Sequence, residues 1–213
     1  MNFLPEEIED YTALHSEKES ELLQNLNHET WEKILNPRML SGHMQGRILS
    51  MLSHMIKPTN ILEIGTFTAY STLCFAEGLV SEGHIDTIDI NEELQPLVQK
   101  YLDRSGFSNK ITCHIGNALE IIPSLDKKYD LVFIDADKSN YSNYFNLVFD
   151  KLNSGGYIIA DNVLWNGKVT QPLTENDIDT KAIIEFNKMV HNDSRVQNVL
   201  LPVRDGLMLL RKL

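Results

Sequence analysis

The sequence lacks long apolar segments and contains little cysteine. No stretch approaches the roughly 18 consecutive apolar residues that a membrane-spanning helix needs, and residues 1–7 lack the basic region and apolar core of a signal peptide. The two cysteines, Cys74 and Cys113, lie far apart in apolar surroundings and lack metal-ligand spacing, so we interpret them as reduced core residues. We therefore expect a cytoplasmic protein with no membrane partner.

Positive charge is also scarce. Lys and Arg number 19 against 30 Asp and Glu, which gives a formal net charge of −11. This balance disfavours non-specific binding to nucleic acid or to anionic membranes, because phosphate contacts need cations. The length of 213 residues and the hydrophobic content of 42% predict one globular domain, residues 1–213, with a substantial core.

Two apolar runs end in polar residues. Leu131–Ile134 runs into Asp135-Ala136-Asp137-Lys138, and Tyr157–Ala160 runs into Asp161-Asn162. Unbroken apolar runs indicate buried strands of a parallel sheet, and ligands bind at the carboxyl edge of such sheets. Asp135, Asp161 and Asn162 would supply hard oxygen donors suited to Mg²⁺ or Ca²⁺. The alternative is that the carboxylates only cap the following helices, and the spacing alone does not separate the two interpretations.

Strand and helix patterns alternate from residue 60 to residue 213. Predicted strands cover 61–64, 85–90, 110–115, 129–134, 156–160, 196–203 and 207–210. Predicted helices cover 68–79, 92–104, 118–122 and 141–152, and a further helix begins near residue 178. The alternation indicates a doubly wound α/β sheet, mostly parallel, with helices on both faces. Asp205-Gly206 is a hairpin signal, so the last two strands should be antiparallel.

Residues 1–56 are predicted to be helical and to cover the functional edge of the sheet. Residues 16–19 resemble a capping box that opens a helix, and its apolar face would comprise Leu22, Leu23, Leu26, Trp31, Ile34 and Leu35. The next helix carries apolar residues at helical spacing, namely Met44, Ile48, Met51, Leu52 and Met55. We interpret these methionines as core packing.

The turn after the first strand, residues 63–71, favours an adenosine ligand without phosphates. Gly65 lets the backbone approach a ligand closely, but the turn lacks the Gly-x-Gly-x-x-Gly spacing that cradles a dinucleotide, which disfavours NAD. The second strand ends at Asp89, which could accept hydrogen bonds from both ribose hydroxyls. S-adenosylmethionine (SAM) fits this combination. Asn117 or the Ala118 backbone N–H could contact the adenine.

Three motifs carry a family resemblance. Residues 63–71 (EIGTFTAYS), 133–141 (FIDADKSNY) and 161–167 (DNVLWNG) resemble the caffeoyl-CoA and catechol O-methyltransferase-like family, and the likeness covers the chain from Met39 to the terminal hairpin. The resemblance implies a Rossmann-like methyltransferase fold with a seven-stranded sheet and an antiparallel C-terminal hairpin strand. It also implies SAM, a divalent cation (Mg²⁺, or else Ca²⁺ or Mn²⁺) and a homodimer.

The resemblance further implies roles for individual residues. Metal ligands would be Asp135, Asp161 and Asn162, and the catalytic residues would be Lys138 and Asp135. Cofactor contacts would come from Ser41, Glu63, Gly65, Phe67, Ser71, Asp89, Ala118, Asp137 and Tyr144, and substrate contacts from Met39 and Trp165. The chain departs from the family pattern at Ala69, where glycine is frequent, and at Asn117, where aspartate is frequent. Ala69 should be tolerated if its backbone is helical.

These residues predict methyl transfer from SAM to a hydroxyl of a small catechol-like substrate. A cation chelating two adjacent hydroxyls would lower their pKa, and Lys138 would act as the base or stabilise the phenolate; alternatively Lys138 is a solvated surface residue. Trp165 could stack on the substrate ring or pack in the core or at a dimer contact. Two rival functions are a tRNA hydroxyuridine O-methyltransferase, which the acidic charge disfavours, and a SAM-binding protein without catalysis.

Overall fold

The computed structural model describes residues 5–213, and within them a single seven-stranded sheet forms the centre of the fold. The strands are β1 (Asn60–Ile64), β2 (His84–Asp89), β3 (Ile111–Ile115), β4 (Tyr129–Ile134), β5 (Leu152–Ala160), β6 (Val196–Leu201) and β7 (Leu207–Lys212). Their order is β3-β2-β1-β4-β5-β7-β6, with β1 to β5 parallel and β7 antiparallel to both β5 and β6. The predicted mostly parallel sheet with an antiparallel C-terminal hairpin is confirmed.

Helices cover both faces of the sheet. They are α1 (Glu6–Leu14), α2 (Glu21–Lys33), α3 (Gly42–Ile56), α4 (Tyr70–Ala76), α5 (Gln95–Ser105), α6 (Ala118–Ser124), α7 (Tyr141–Phe149) and α8 (Ile178–His191). Short 3₁₀ helices lie at Pro37–Met39, Glu92–Leu94, Ser108–Lys110, Lys138–Asn140 and Trp165–Thr170. Within residues 5–213, no helix is both long enough and apolar enough to cross a bilayer. Residues 1–4, part of the segment considered as a signal peptide, lie outside the described residues.

Strand β4 is buried on both faces, as its unbroken apolar run predicts. Val132 and Ile134 pack on one face with α6, α7 and α8, and Leu131 and Phe133 pack on the other face with α2 to α5. All four side chains have no exposed surface. Alternate residues of a strand point to opposite faces, so only a strand covered on both sides can be apolar throughout.

The second helix begins later than its sequence suggests. Helix α2 starts at Glu21, and the Ser20 hydroxyl caps it by accepting a hydrogen bond from the Leu23 N–H at 3.3 Å. The capping box predicted at residues 16–19 is wrong, because the Ser16 hydroxyl instead donates to the Thr12 carbonyl at the end of α1. The apolar face predicted to continue through Trp31 and Leu35 is also wrong, since these side chains are 56% and 87% exposed.

Helix α3 buries a different face from the one its methionines indicate. Met51 and Met55 are 61% and 73% exposed, so their assignment to the core is wrong. The buried face of α3 instead consists of Gln45, Gly46, Leu49, Ser50 and Ser53. Small residues such as Gly46 allow α3 to approach α4 closely. This close packing, and not the number of apolar residues, determines which face of α3 is buried.

Candidate active site

A cavity of about 730 Å³ lies at the carboxyl edge of the parallel strands. The chain turns outward in opposite directions from β1 and β4 at this point, which is where ligands bind in open α/β sheets. The structure brings nearly all of the predicted site residues to its wall, namely Met39, Ser41, Gly65, Phe67, Ser71, Asp89, Ala118, Asp135, Asp137, Lys138, Tyr144, Asp161, Asn162 and Trp165. Glu63 is the predicted site residue that does not line it.

The turn after β1 is built around Gly65 and Asp89. Gly65 has φ +106°, and a Cβ added there would collide with the Asp135 carbonyl oxygen, so the position requires glycine. The Asp89 carboxylate accepts the Phe67 N–H at 2.7 Å and the Asn91 N–H at 2.9 Å. Asp89 therefore holds the turn while its side chain borders the cavity, in the place expected for an acid that binds ribose.

Glu63 is the centre of a buried hydroxyl cluster. Its carboxylate accepts hydrogen bonds from Ser71 and Thr87, each at 2.6 Å, and from Thr72. Burial raises the pKa of Glu63 to about 7, and the three hydroxyl groups oppose that rise. Glu63 thus supports the Gly65 turn from behind and positions Ser71, which does line the cavity. A direct contact between Glu63 and a cofactor stays a prediction.

The two departures from the family pattern are both N-cap residues, Ala69 of α4 and Asn117 of α6. Ala69 has φ +67° and ψ +20°, which is left-handed, so the expectation of a helical backbone at this position is wrong. The strain of a non-glycine residue there is accepted by the turn. Asn117 caps α6 by accepting the Leu119 N–H at 3.0 Å, which engages its side-chain oxygen, and both Asn117 and Ala118 line the cavity.

Asp137 and Tyr144 form a hydrogen-bonded pair on the cavity wall. The Tyr144 hydroxyl donates to Asp137 at 2.5 Å, and the Asn140 amide donates to the other carboxylate oxygen at 2.6 Å. Burial, together with the Asp137 carboxylate, raises the pKa of Tyr144, so its hydroxyl stays protonated and keeps donating. The pair fixes the first turn after β4 relative to α7.

Lys138 is a buried residue of the cavity wall. Its ammonium group donates to the Tyr141 hydroxyl at 2.7 Å and to the Asp135 carboxylate at 3.1 Å, and the residue is only 7% exposed. The alternative of a solvated surface lysine is therefore wrong. The Tyr141 hydroxyl in turn donates a hydrogen bond of 2.8 Å to the Asp161 carbonyl, which links Lys138 to the end of β5.

Asp161 is almost fully enclosed at this edge. It is 3% exposed, and its carboxylate accepts the Gln45 amide at 2.6 Å and the Asn162 backbone N–H at 2.7 Å. Burial and the neighbouring Asp135 charge raise the pKa of Asp161 above its ordinary value. Two carboxylates thus face one enclosed space with one ammonium group, that of Lys138, beside them.

Known proteins that resemble this chain in sequence share one activity in their names. A sequence model described as O-methyltransferase matches residues 13–213. The chain belongs to this O-methyltransferase family. It is 35% identical to a caffeoyl-CoA O-methyltransferase of Petroselinum crispum, over 92% of this chain and 86% of the relative. It is also 35% identical to caffeoyl-CoA O-methyltransferase 5 of Nicotiana tabacum, over 82% of this chain and 78% of the relative.

Solved structures give the same assignment. An O-methyltransferase from Bacillus cereus in complex with SAH superposes with a TM-score of 0.90 at 26% identity, covering 97% of both chains. An O-methyltransferase from Streptomyces achromogenes involved in tomaymycin synthesis, in complex with SAM, has a TM-score of 0.89 at 27% identity and covers 97% of this chain and 96% of its own. The protein is a SAM-dependent O-methyltransferase with a Rossmann-like fold.

The polar side chains that follow β4 and β5 in this methyltransferase offer oxygen donors to a divalent cation. No cluster of three or more His, Cys, Asp or Glu side chains suited to a metal occurs within residues 5–213. The predicted metal ligands include only two such side chains, the carboxylates of Asp135 and Asp161. The third predicted ligand is the side-chain amide of Asn162, which has no hydrogen-bond partner among the described residues. Hard oxygen donors and two like charges in an enclosed space fit Mg²⁺ with additional water ligands.

Trp165 and Met39 both line the cavity, although they lie far apart in the sequence. Trp165 begins the 3₁₀ helix 165–170 with φ +47°, and its ring centre lies 5.7 Å from the Lys138 ammonium group. Its buried indole N–H has no partner among the described residues. Met39 is 61% exposed and ends the 3₁₀ helix 37–39. Both residues offer apolar surface to the cavity, and their contact with a substrate stays a prediction.

Three residues of the methyltransferase site escaped the sequence analysis. Tyr141 ends the 133–141 motif, and no role was predicted for it. Its position three residues after Lys138 could have indicated a contact between the two side chains, because residues three apart are neighbours on a helical turn. Gln45 and Arg204 gave no comparable signal. Gln45 contacts Asp161 across 116 residues of sequence, and Arg204 contacts Gln45 across 159, so only the folded chain reveals them.

Proposed function

We propose that this methyltransferase transfers the methyl group of SAM to one hydroxyl of a small aromatic vicinal diol, with the help of a divalent cation. The observation that carries the proposal is the convergence of Asp135, Asp161 and Asn162 beside a buried Lys138. Mg²⁺ is the first choice because the donors are hard oxygens, and Ca²⁺ or Mn²⁺ are the alternatives. A cation bound there would lower the pKa of a hydroxyl that it contacts.

The chain's own residues would orient the acceptor and handle its proton. Lys138 is held by Tyr141 and Asp135, so its ammonium group is fixed at the place where a phenolate would need a positive partner. As a neutral amine it would take the proton at Nζ, and as a cation it would stabilise the oxyanion. Trp165 and Met39 would pack against the aromatic ring and exclude water from the reacting oxygen.

Cofactor binding would use the opposite half of the cavity. Asp89 would accept hydrogen bonds from the ribose, and Gly65 and Phe67 would bring the backbone of the turn against the ligand. Ala118 would contact the adenine, while Ser41, Ser71, Asp137 and Tyr144 would complete the wall. Both halves belong to one continuous cavity, so the methyl group of SAM and the acceptor oxygen could meet in line.

The relatives named caffeoyl-CoA O-methyltransferase support an aromatic acceptor. A tRNA acceptor remains the competing proposal, and the net charge of −11 counts against it because phosphate binding needs clustered cations. We also propose a cytoplasmic location, which is supported by the free thiols of Cys74 and Cys113.

A methyl-transfer assay tests the proposal directly. Purified enzyme is assayed with SAM and a catechol, a caffeoyl thioester, the matching monophenols or bulk tRNA, each with Mg²⁺ or with a chelator. We expect turnover of the diols, loss of activity with the chelator and far slower reaction of the monophenols, because a monophenol offers the cation one oxygen instead of two.

Two variants accompany this assay. Asp161→Ala should lose diol turnover, whereas Asp126→Ala, which changes an exposed acid away from the cavity, should retain it. Equal rates for mono- and dihydroxy substrates would exclude chelation as the basis of selectivity. Full activity after chelation and dialysis would exclude the cation, and methylation of tRNA alone would favour the competing proposal.

A further inference from the structure

Gln45 links the catalytic edge of the sheet to the C-terminal hairpin. It lies on the buried face of α3 and is 1% exposed. Its amide nitrogen donates to the Asp161 carboxylate at 2.6 Å, and its amide oxygen accepts a hydrogen bond from the Arg204 guanidinium at 2.9 Å. A buried side-chain amide is therefore held between a carboxylate that lines the cavity and an arginine.

The arginine determines which way the amide points. A guanidinium group carries only donors, so the Gln45 oxygen has to face Arg204 and the Gln45 nitrogen has to face Asp161. If the amide rotated by half a turn, an N–H group would oppose the guanidinium and a carbonyl oxygen would oppose the carboxylate. Both contacts would then be unfavourable, because buried polar groups without partners are costly.

Arg204 is itself anchored at three points. It stands in the connection between β6 and β7, and its Nη1 also donates to the carbonyl oxygens of Leu40 (3.2 Å) and Ser41. Its backbone has φ +48°, a left-handed conformation that costs energy for any residue other than glycine. Much of Arg204 is exposed, yet this one nitrogen ties the hairpin to the chain segment that leads into α3.

We propose that Gln45 is a positioning residue for Asp161, and that Arg204 acts through Gln45 by fixing the direction of its amide. The inference rests on the proposed function, since Asp161 is a ligand of the proposed cation. With one carboxylate oxygen held by Gln45 and the other by the Asn162 N–H, Asp161 keeps a single orientation toward Asp135 and Asn162. A preset ligand orientation raises cation affinity because less freedom is lost on binding.

The test measures cation affinity separately from turnover. Mg²⁺ binding to the SAM-bound enzyme is followed by calorimetry, and kcat is measured at saturating Mg²⁺. Gln45→Met keeps the size of the side chain but removes the donor, and we expect Mg²⁺ affinity to fall by about 10-fold to 100-fold, the range typical of groups that orient metal ligands. The kcat at saturating Mg²⁺ should change little, because excess cation restores the occupied site.

Arg204→Met provides an independent variant at a residue that is exposed and lies outside the hydrophobic core. It should weaken Mg²⁺ binding in the same direction, and Arg204→Lys, which keeps a donor, should restore part of the affinity. Because Arg204 acts through Gln45, the Gln45→Met/Arg204→Met double variant should bind Mg²⁺ no more weakly than Gln45→Met alone. Additive losses would overturn the link between the two residues.

Matched controls separate the possible failures. Gln99→Ala and Arg211→Ala change exposed residues outside the cavity and should bind Mg²⁺ like the wild type. If the wild type binds Mg²⁺, Asp161→Ala abolishes it and Gln45→Met leaves it unchanged, the positioning role is overturned while the proposed function survives. If the wild type binds no Mg²⁺, the cation-assisted function fails and this inference fails with it.

Discussion

Lys138 and Tyr141 form a pair in which a buried phenol holds a buried ammonium group. The Tyr141 hydroxyl accepts from Lys138 at 2.7 Å and donates to the Asp161 carbonyl at 2.8 Å. Burial, with the nearby carboxylates, raises the pKa of Tyr141 far above its ordinary value, so the phenol stays protonated and can serve in both directions. The position of Lys138, the proposed catalytic lysine, thus depends on the hydroxyl group of Tyr141.

Removal of that hydroxyl should therefore affect both stability and turnover. Tyr141→Phe leaves the Lys138 ammonium and the Asp161 carbonyl short of a partner, which should cost about 1–3 kcal/mol of unfolding free energy and lower kcat. Tyr129→Phe is the matched control, because its buried hydroxyl contacts Asp86 at 3.2 Å and does not line the cavity. Denaturant unfolding and diol turnover are the measurements, and an unchanged kcat for Tyr141→Phe would contradict the anchoring role.

Asp89 should contribute to SAM affinity. Asp89→Ala removes the proposed ribose acceptor and also frees the Phe67 N–H, so we expect a loss of about 1.5–3 kcal/mol in binding free energy by calorimetry. Asp103→Ala serves as the control, since this acid lies on α5 outside the cavity. Unchanged SAM affinity in Asp89→Ala would place the ribose elsewhere.

The sequence predicts the polar residues that follow strands and misses those that reach the site from elsewhere. Asp135, Asp161 and Lys138 are recognisable because each follows an apolar run directly or within a few residues. Gln45 lies within a helix among apolar and small residues, and nothing local distinguishes it from a surface glutamine. Its importance comes from contacts with Asp161 and Arg204, which only the tertiary structure creates.

Helix α3 shows how small residues can outweigh apolar periodicity. A Cβ at Gly46 would lie 2.7 Å from the Tyr70 ring and 2.9 Å from the Cys74 sulfur. The two helices therefore meet at a distance that only glycine permits, and the methionines are left outside. The hydrophobic pattern could not reveal this, because it counts apolar residues and does not report how closely two backbones approach.

Two substitutions in α3 should differ in their effect on the free energy of unfolding. Gly46→Ala forces α3 away from Tyr70 and Cys74 and should reduce the unfolding free energy by about 1–3 kcal/mol. Met51→Ala should change it by no more than about 0.5 kcal/mol, because Met51 is 61% exposed. Chemical denaturation measures both, and a loss of about 2–5 kcal/mol in Met51→Ala would restore the methionine face to the core.

Glu63 joins three elements and should make stability depend on pH. Its hydroxyl partners lie on α4 and β2, while Glu63 itself lies on β1. Burial raises the pKa of Glu63 from an ordinary 4.5 to about 7, so between these values the folded state binds a proton that the unfolded state has released. Stability from this group is therefore full below pH 4.5 and declines as the pH rises to 7, by up to about 3 kcal/mol.

Glu63→Gln tests that dependence. Glutamine cannot ionise, so the share of the decline that Glu63 causes between pH 4.5 and 7 should be absent, whatever constant offset the lost acceptor causes. The share that the raised pKa of Asp161 causes should remain, so the variant's stability should fall less steeply than that of the wild type. The free energies of unfolding of wild type and Glu63→Gln are compared at several pH values in this window. Parallel curves would show that Glu63 keeps the same proton affinity in the folded and unfolded chain.

The arrangement of the whole molecule was predictable because parallel sheets impose strict patterns. The alternation of strands and helices from residue 60 onward predicts the parallel strands, and the Asp205-Gly206 turn predicts the antiparallel hairpin, whereas the order of the strands comes from the structure. The N-terminal third was less predictable. Helix α1 buries no residue, and the segment 38–41, which lines the cavity, is held by hydrogen bonds from Arg204. Local propensity does not encode such long-range contacts.

We propose that the whole molecule is a homodimer, and the exposed apolar residues of the N-terminal third support this. Trp31, Leu35, Met51 and Met55 are 56%, 87%, 61% and 73% exposed. Burying such side chains between two copies would contribute about 25 cal/mol per Å² of apolar surface, and a stable interface needs at least about 1,200 Å² in total. Light scattering at micromolar concentration should therefore give twice the chain mass of 24.3 kDa.

Substitution of the same surface tests which residues form the contact. Trp31→Asp and Leu35→Asp should shift the protein toward the monomer, because a charge in an apolar interface loses its hydration without gaining a partner. Leu173→Asp is the control, since Leu173 is 50% exposed but lies in the segment before α8. A wild-type monomer would contradict the dimer, and a dimer that survives both substitutions would move the interface to another face of the chain.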